Sequence, residues 1–316
     1  MGYYHTPSSI EDALSIADKY NDNYTFFAGG TDIQIYRKQK LDLNEHIIDL
    51  SLINNINTIS MKNGTLSLGA MATLDEIFVS KKIQNNFPLI AKSVNSVATP
   101  VLRKTATIGG NLLVKNRCTF YNQSKWWRDS IGSCLRDVGD ICQVTGGKDD
   151  CYARNVSDAA TALIALNAKA VLTSLNGVEH RLVKDLYLPC GIKSHNLSKG
   201  TILTQIHLSL SPVKWWYKKL RLRKTLDFTS LTVAATVNKT GIVRVCLNGA
   251  SMSPILIKES LDLLTLELLI KQARKHCKAV DNDLMPLKYR KQMINVFLEE
   301  CWETISQKDT RTQSSK

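Results

Sequence analysis

The stretch FFAGGTDI, residues 26–33, joins an apolar strand to a helix through a glycine turn. A helix is expected before it, over residues 8–20, and a second buried strand after it, at residues 46–50. This order predicts a small βαβ-like unit built around the turn. Free backbone N–H groups at such a turn suit a phosphate, although a tight structural turn is the more frequent explanation of a Gly-Gly pair.

A second glycine turn, TIGGN at residues 107–111, follows about 80 residues later. The sequence predicts that a strand over residues 105–111 ends in this turn. Two turns of this kind would clamp a pyrophosphate from two sides. Neither matches the GxGxxG pattern of Rossmann folds or the GxxxxGK[ST] pattern of P-loops, so those two folds are disfavoured.

The rest of the chain predicts a mixture of hairpins and helices, which is typical of an α+β protein. Periodicity and turn residues indicate, in chain order, a hairpin at 58–69, helices from Thr73, over 88–98 and over 157–167, a hairpin at 168–182, strands over 213–250 and helices over 258–305.

The composition is that of an ordinary globular protein, with 44% hydrophobic and 22% charged residues and a net charge of +13. Part of that charge lies in the run 214–224, which holds six cations and no acid. We interpret the run as a solvated edge strand or a face that meets a partner, because no nucleic-acid motif accompanies it. No apolar stretch is long enough to span a membrane and no secretory signal is visible, so a cytoplasmic protein is expected.

Four cysteines lie in a polar, aromatic segment at about 115–155 that shows no clear period. Cys118, Cys134, Cys142 and Cys151 are spaced by 16, 8 and 9 positions. Soft thiolates suit either a tetrahedral zinc or an iron–sulfur cluster. The lack of CxxC pairs and the wide spacing favour a [4Fe–4S] cluster, while zinc and unliganded thiols stay open. The remaining cysteines are interpreted as small buried hydrophobes: Cys190, Cys246, Cys277 and Cys301.

Four motifs in the same order resemble the flavin subunits of molybdenum hydroxylases, a family that includes xanthine dehydrogenase and carbon monoxide dehydrogenase. They are AGGTDI at 28–33, TIGGN at 107–111, SDAATALIALNA at 157–168 and NGA at 248–250 followed by Ser253-Pro254. The resemblance covers residues 1–305. It implies a two-subdomain FAD-binding fold of the PCMH/vanillyl-alcohol-oxidase type, with subdomains at 1–57 and 58–210, a C-terminal α+β domain at 211–305 and a polar tail at 306–316.

The resemblance also implies which positions contact FAD. The first turn would wrap the pyrophosphate, the second turn and a Ser-Asp pair at a helix start would approach from the other side, and two apolar residues and a lysine would lie near the flavin ring. In this sequence those positions are Phe26, Phe27, Ala28, Gly29, Gly30, Thr31, Asp32, Ile33, Thr107, Gly110, Asn111, Ser157, Asp158, Ile202, Leu203 and Lys219.

The 45 residues between Asn111 and Ser157 are an insertion relative to most of that family. The segment RCTFYNQSKWW with its four cysteines resembles the [4Fe–4S] insertion of the 4-hydroxybenzoyl-CoA reductase branch. That likeness implies a conduit that takes electrons from ferredoxin and passes them through the cluster and FAD to [2Fe–2S] and molybdenum-cofactor subunits, in a dimer of heterotrimers. No catalytic residue is expected in this chain, since no nucleophile–base pair stands out.

Two other functions remain possible at this point. The first is a flavin subunit of another molybdenum hydroxylase that passes electrons outward to NAD or a quinone. The second is a zinc-stabilised basic module that binds nucleic acid and would show strongly salt-dependent affinity. Neither nucleic acid nor membrane is expected as a partner of the leading candidate.

Overall fold

In this computed structural model the chain is described over residues 2–209, 212–224 and 226–307. The N-terminal part is a three-stranded parallel sheet in the order β1-β3-β2 with two helices in its connections. The first helix begins at residue 10 because the Ser9 hydroxyl accepts from the Asp12 N–H at 3.0 Å. The predicted βαβ-like unit is confirmed, with β1 (Tyr3–His5), α1 (Ile10–Lys19), β2 (Tyr24–Phe27), α2 (Ile33–Lys38) and β3 (His46–Asp49).

A five-stranded antiparallel sheet in the order β4-β5-β8-β6-β7 follows, and helices pack on it over a core rich in leucine, isoleucine and alanine. Both predicted hairpins are confirmed in it. Its elements are β4 (Ile59–Lys62), β5 (Thr65–Gly69), α3 (Leu74–Val79), α4 (Lys81–Asn86), α5 (Pro88–Asn95), α6 (Pro100–Arg103), α7 (Ile108–Leu112), α8 (Lys125–Ile131), α9 (Asp158–Ala165), β6 (Lys169–Ser174), β7 (Gly177–Leu182), a 3-10 turn (Val183–Leu186) and β8 (Ile202–Leu208).

The last third is a four-stranded antiparallel sheet in the order β12-β11-β10-β9, covered by two helices over a second core. The elements are β9 (Lys214–Leu220), β10 (Leu231–Val237), β11 (Ile242–Asn248), β12 (Ile255–Ser260), α10 (Leu266–His276) and α11 (Leu287–Ile305). Each sheet lies within one of the three predicted ranges. The boundary at 210–211 and most of the tail 306–316 lie outside the described residues, and the division into domains stays a prediction.

Three secondary-structure expectations are corrected. The predicted strand over 105–111 is wrong, because the Thr107 hydroxyl accepts from the Gly110 N–H at 3.1 Å and starts α7. Residues 258–260 belong to β12 rather than to a helix. The insertion contains a regular element, α8, which begins where the Ser124 hydroxyl accepts from the Trp127 N–H at 3.2 Å.

The basic run becomes β9, an edge strand whose charges are mostly used within the chain. Trp215 packs against the core of the five-stranded sheet and Trp216 against the core of the last sheet. Lys218 binds Glu300 at 2.7 Å, and Lys219 turns inward towards Asp158. The run therefore joins two cores and offers little free charge to a nucleic acid. No helix among the described residues is both long and apolar enough to cross a membrane.

Candidate functional site

Turns from all three sheets line one cavity of about 520 Å³. This volume is in the range of sites that bind small molecules and cofactors. All but two of the residues predicted to contact FAD lie in its wall. They are Phe26, Ala28, Gly29, Gly30, Thr31, Asp32, Ile33, Thr107, Gly110, Asn111, Asp158, Ile202, Leu203 and Lys219.

The first glycine turn needs glycine at both positions. A Cβ on Gly29 would lie 1.9 Å from the carbonyl oxygen of Thr105, and Gly30 has a φ of +73°. The backbone N–H groups of residues 29–32 donate to no atom of the described chain. Four unpaired donors in a row at a cavity wall favour an anionic group such as a pyrophosphate. The turn therefore fits the phosphates of FAD.

The two other predicted residues lie behind the wall. The Ser157 hydroxyl donates to Asn111 Oδ1 at 3.0 Å, and this oxygen also accepts from the Ala159 N–H at 3.2 Å. Ser157 therefore holds Asn111 in place from a fully buried position. The ring of Phe27 lies against Gly30, so close that a Cβ there would be 2.5 Å from it.

A buried ion pair forms another part of the cavity wall. Lys219 Nζ donates to Asp158 Oδ2 at 2.5 Å and to the carbonyl oxygen of Ser96 at 3.1 Å. The Thr232 hydroxyl donates to the other carboxylate oxygen at 2.9 Å. Burial lowers the pKa of Lys219, while the adjacent carboxylate raises it. A cation at this position would stabilise negative charge on a reduced flavin.

Sequence reasoning missed Tyr36, Lys115, Arg117 and Phe228, which also line the cavity. The Arg117 guanidinium lies 4.1 Å from the centroid of the Phe228 ring and 3.9 Å from Asp32. Burial raises the pKa of Asp32, although Arg117 lowers it, and burial lowers the pKa of Lys115. Of these four residues, only Arg117 could have been suspected from the sequence. It precedes Cys118 at the start of the insertion, close to the second glycine turn.

All four cysteines of the insertion line a second, small cavity of about 20 Å³. No other histidine, cysteine or acidic side chain lines it, and aromatic and aliphatic residues supply most of the rest. Within the described ranges, no three His, Cys, Asp or Glu side chains are arranged to hold one metal ion. The thiols therefore share a cavity without forming a preformed site for a single ion.

Burial and nearby backbone N–H groups shift the pKa of three of the four thiols in opposite directions. Burial raises the pKa of the Cys118 thiol, while N–H groups of Phe120 and Tyr121 lower it. Burial likewise raises the pKa of Cys151, to about 11, against the N–H of Ala153. The pKa of Cys142 is lowered: burial raises it, but the Thr145 side chain and backbone N–H groups outweigh burial. Hydrogen bonds to sulfur are among the features that tune cluster potentials.

The insertion is also fixed by polar contacts to the rest of the chain. Buried Arg128 donates to the carbonyl oxygen of Gln39 at 3.0 Å and to Asp137 at 3.0 Å. Fully buried Asn116 donates to the carbonyl oxygens of Ala153 at 3.0 Å and Met252 at 2.7 Å. These bonds explain how so long a segment keeps one conformation.

Comparisons with known proteins also indicate an FAD-binding protein. The family model described as FAD binding domain in molybdopterin dehydrogenase matches residues 1–210. The aldehyde oxidoreductase FAD-binding subunit of Escherichia coli K12 is 27% identical over 240 residues, which are 72% of this chain and 75% of that protein. The carbon monoxide dehydrogenase medium chain of Afipia carboxidovorans is 23% identical over 95% of both chains.

Solved structures show the same fold. A chain of the reconstituted CO dehydrogenase from Oligotropha carboxidovorans matches with a TM-score of 0.77 at 22% identity, over 97% of this chain and 98% of that chain. A chain of quinoline 2-oxidoreductase from Pseudomonas putida 86 matches with a TM-score of 0.70 at 15% identity, over 96% and 97%.

The fold and the cavity define a flavin-binding subunit of an oxidoreductase. The chain belongs to the family of FAD-binding subunits of molybdenum hydroxylases. The resemblance found in its motifs is confirmed at that level, and FAD is its cofactor.

Proposed function

We propose that this chain is the flavin and iron–sulfur subunit of a molybdenum-dependent reductase of the 4-hydroxybenzoyl-CoA type. In the whole complex, two electrons from ferredoxin would travel through a [4Fe–4S] cluster and FAD to [2Fe–2S] and molybdenum-cofactor subunits. There the substrate would take up these electrons and two protons, lose its phenolic hydroxyl as water and become benzoyl-CoA. The observation that carries the proposal is the cavity that all four insertion cysteines line.

The chemistry of that cavity favours a cluster over zinc. Tetrahedral zinc with Zn–S bonds of about 2.3 Å draws its sulfurs to within about 3.8 Å of one another. A cubane, by contrast, spreads its four thiolates over four irons, and the four cysteines that line this cavity come from four separate parts of the insertion. A set of metal-binding side chains consisting only of cysteine suits such a cluster.

The position of the cavity supports the order of electron flow. Arg117 lines the flavin cavity and the next residue, Cys118, lines the cysteine cavity. A centre held by Cys118 would therefore lie beside the flavin, with the other side of the insertion towards solvent. Electron transfer between the two sites would need no movement of the chain.

Two apolar side chains of the insertion are strongly exposed: Val138, four residues after Cys134, is 88% exposed and Trp126 is 76% exposed. Trp127, next to Trp126, has its ring centroid 6.1 Å from that of Phe120 in the cavity wall. We propose these two exposed side chains as contacts for ferredoxin. We expect the chain to act in a cytoplasmic heterohexamer, without nucleic acid or membrane as partner.

In a second candidate function the chain still binds FAD, but electrons flow in the opposite direction, out of the complex to NAD or a quinone. The names of relatives favour it, because the carbon monoxide and nicotinate relatives are called dehydrogenases. Reduced ferredoxin and 4-hydroxybenzoyl-CoA offered to the complete complex should yield benzoyl-CoA. Substrate-dependent reduction of NAD or a quinone, without any dehydroxylation, would favour the second candidate.

Metal and flavin analysis of the purified full-length chain tests the cluster. We expect FAD bands over a broad iron–sulfur shoulder, and loss of about four irons per chain in Cys134→Ser with FAD retained. Cys190→Ser is the matched control, since Cys190 is half-buried nearby but does not line the cavity. A colourless protein that contains zinc and no iron would refute the proposal.

A further inference from the structure

Arg136 lines the wall of the cysteine cavity. Its guanidinium donates to the carbonyl oxygen of Asn116 and lies 4.4 Å from the centroid of the Tyr121 ring. Both partners are neutral groups. The side chain is half-buried, so its charge faces the cavity with limited screening by water.

Two buried arginines of the insertion are compensated by acids. Arg128 lies 3.0 Å from Asp137, and Arg154 lies 2.5 Å from Asp283. For Arg136, by contrast, no carboxylate of the described residues lies within ion-pair distance. It therefore contributes a net positive charge at the cavity.

The charge is also fixed in position. Asn116, which accepts from Arg136, is fully buried, and its own N–H donates to the Ser194 hydroxyl at 3.1 Å. Its side-chain amide donates to the carbonyl oxygens of Ala153, near the end of the insertion, and of Met252, outside it. A carbonyl held this rigidly keeps the guanidinium from turning out into solvent.

We propose that Arg136 sets the reduction potential of the cluster in this cavity by placing an uncompensated positive charge against it. The inference rests on the proposed [4Fe–4S] cluster. A cluster held by four thiolates is negatively charged, and reduction adds one more negative charge. A fixed cation within a poorly solvated wall stabilises the reduced form more than the oxidised form, which raises the potential.

The test compares three variants of the full-length chain: Arg136→Gln, Arg136→Lys and, as a matched control, Lys148→Gln. Lys148 is an exposed cation of the same insertion that lines neither cavity. Iron and FAD are quantified first, and the midpoint potential of the cluster is then measured by a redox titration followed by electron paramagnetic resonance.

In Arg136→Gln the one-electron reduction equilibrium should shift about tenfold towards the oxidised form, which corresponds to about 59 mV. Arg136→Lys keeps the charge and should stay near the wild-type potential. Lys148→Gln should match the wild type, since water and salt screen an exposed charge. This pattern is not expected if the side chain only braces the loop.

Three results would overturn the inference: an iron-loaded Arg136→Gln with an unmoved potential, loss of iron from both Arg136 variants, or loss of iron from Arg136→Gln alone. The last two would give the residue or its charge a role in holding the cluster rather than in setting its potential. A wild-type chain without iron would refute the proposed function as well, so the two failures are distinguishable.

Discussion

Lys219 Nζ lies 2.5 Å from Asp158 Oδ2 in the wall of the flavin cavity, and each side chain is only 4% exposed. Removing one partner of a buried pair leaves an uncompensated charge. We therefore expect Asp158→Asn to lower the free energy of unfolding by about 3–5 kcal/mol, measured by urea denaturation.

The exposed pair Lys125 and Asp129, at 2.8 Å, supplies the control. Asp129→Asn should cost less than about 1 kcal/mol, because an exposed pair is well solvated in both states. Equal losses for the two variants would show that the Asp158 carboxylate contributes no more than a surface charge.

His195 should make the stability depend on pH. Burial and, to a smaller extent, the nearby cations Lys115 and Arg136 lower its pKa to about 4, although a hydrogen bond with the backbone of Leu112 raises it. Between pH 6.5 and 4 the unfolded chain binds a proton that the folded chain does not, so stability falls as the pH is lowered through this window. The loss should approach about 3 kcal/mol near pH 4.

Denaturation curves over pH 4–7 check this expectation. His195→Asn should flatten the slope, whereas His276→Asn, at an exposed histidine, should leave it unchanged. A variant at position 195 that retains the wild-type slope would assign the acid sensitivity to other groups.

Gly29→Ala should impair FAD binding, because the added Cβ would lie 1.9 Å from the Thr105 carbonyl oxygen and would displace the turn. We expect FAD affinity to fall roughly tenfold or more, which is about 1.4 kcal/mol, by fluorescence titration of the apoprotein. Gly147→Ala is the control, since its nearest neighbour would be at an ordinary 3.4 Å. Unchanged affinity in Gly29→Ala would exclude a tight turn as a requirement for the cofactor.

Local chemistry explains why much of the fold could be predicted. The hairpin at Asn63-Gly64 and the helix capped by Thr73 depend on neighbouring residues, and both are confirmed. The predicted strand over 105–111 failed because Thr107, β-branched and so common in strands, also has a hydroxyl that caps a helix. Contacts distant in sequence decide between strand and helix here, since the N–H groups of Ile108 and Gly109 donate to the carbonyl oxygens of Ala72 and Ala70.

The same limit applies to the site. The glycine turns are recognisable because each is a continuous motif. Tyr36 reaches the flavin cavity from α2, and Lys115 and Arg117 reach it from the start of the insertion, so no motif links Tyr36 to the other two. Arg136 likewise meets Asn116 across 20 positions, and only the folded insertion brings the two together.

Arg117 and Cys118 belong to different cavities and are joined by a single peptide unit, which spans about 3.8 Å between Cα atoms. That covalent link keeps the start of the insertion attached to the wall of the flavin cavity, whatever the outer turns of the insertion do. If the proposed cluster is held by Cys118, loosening of those outer turns at higher temperature should change the solvent exposure of the cluster more than its place beside the flavin.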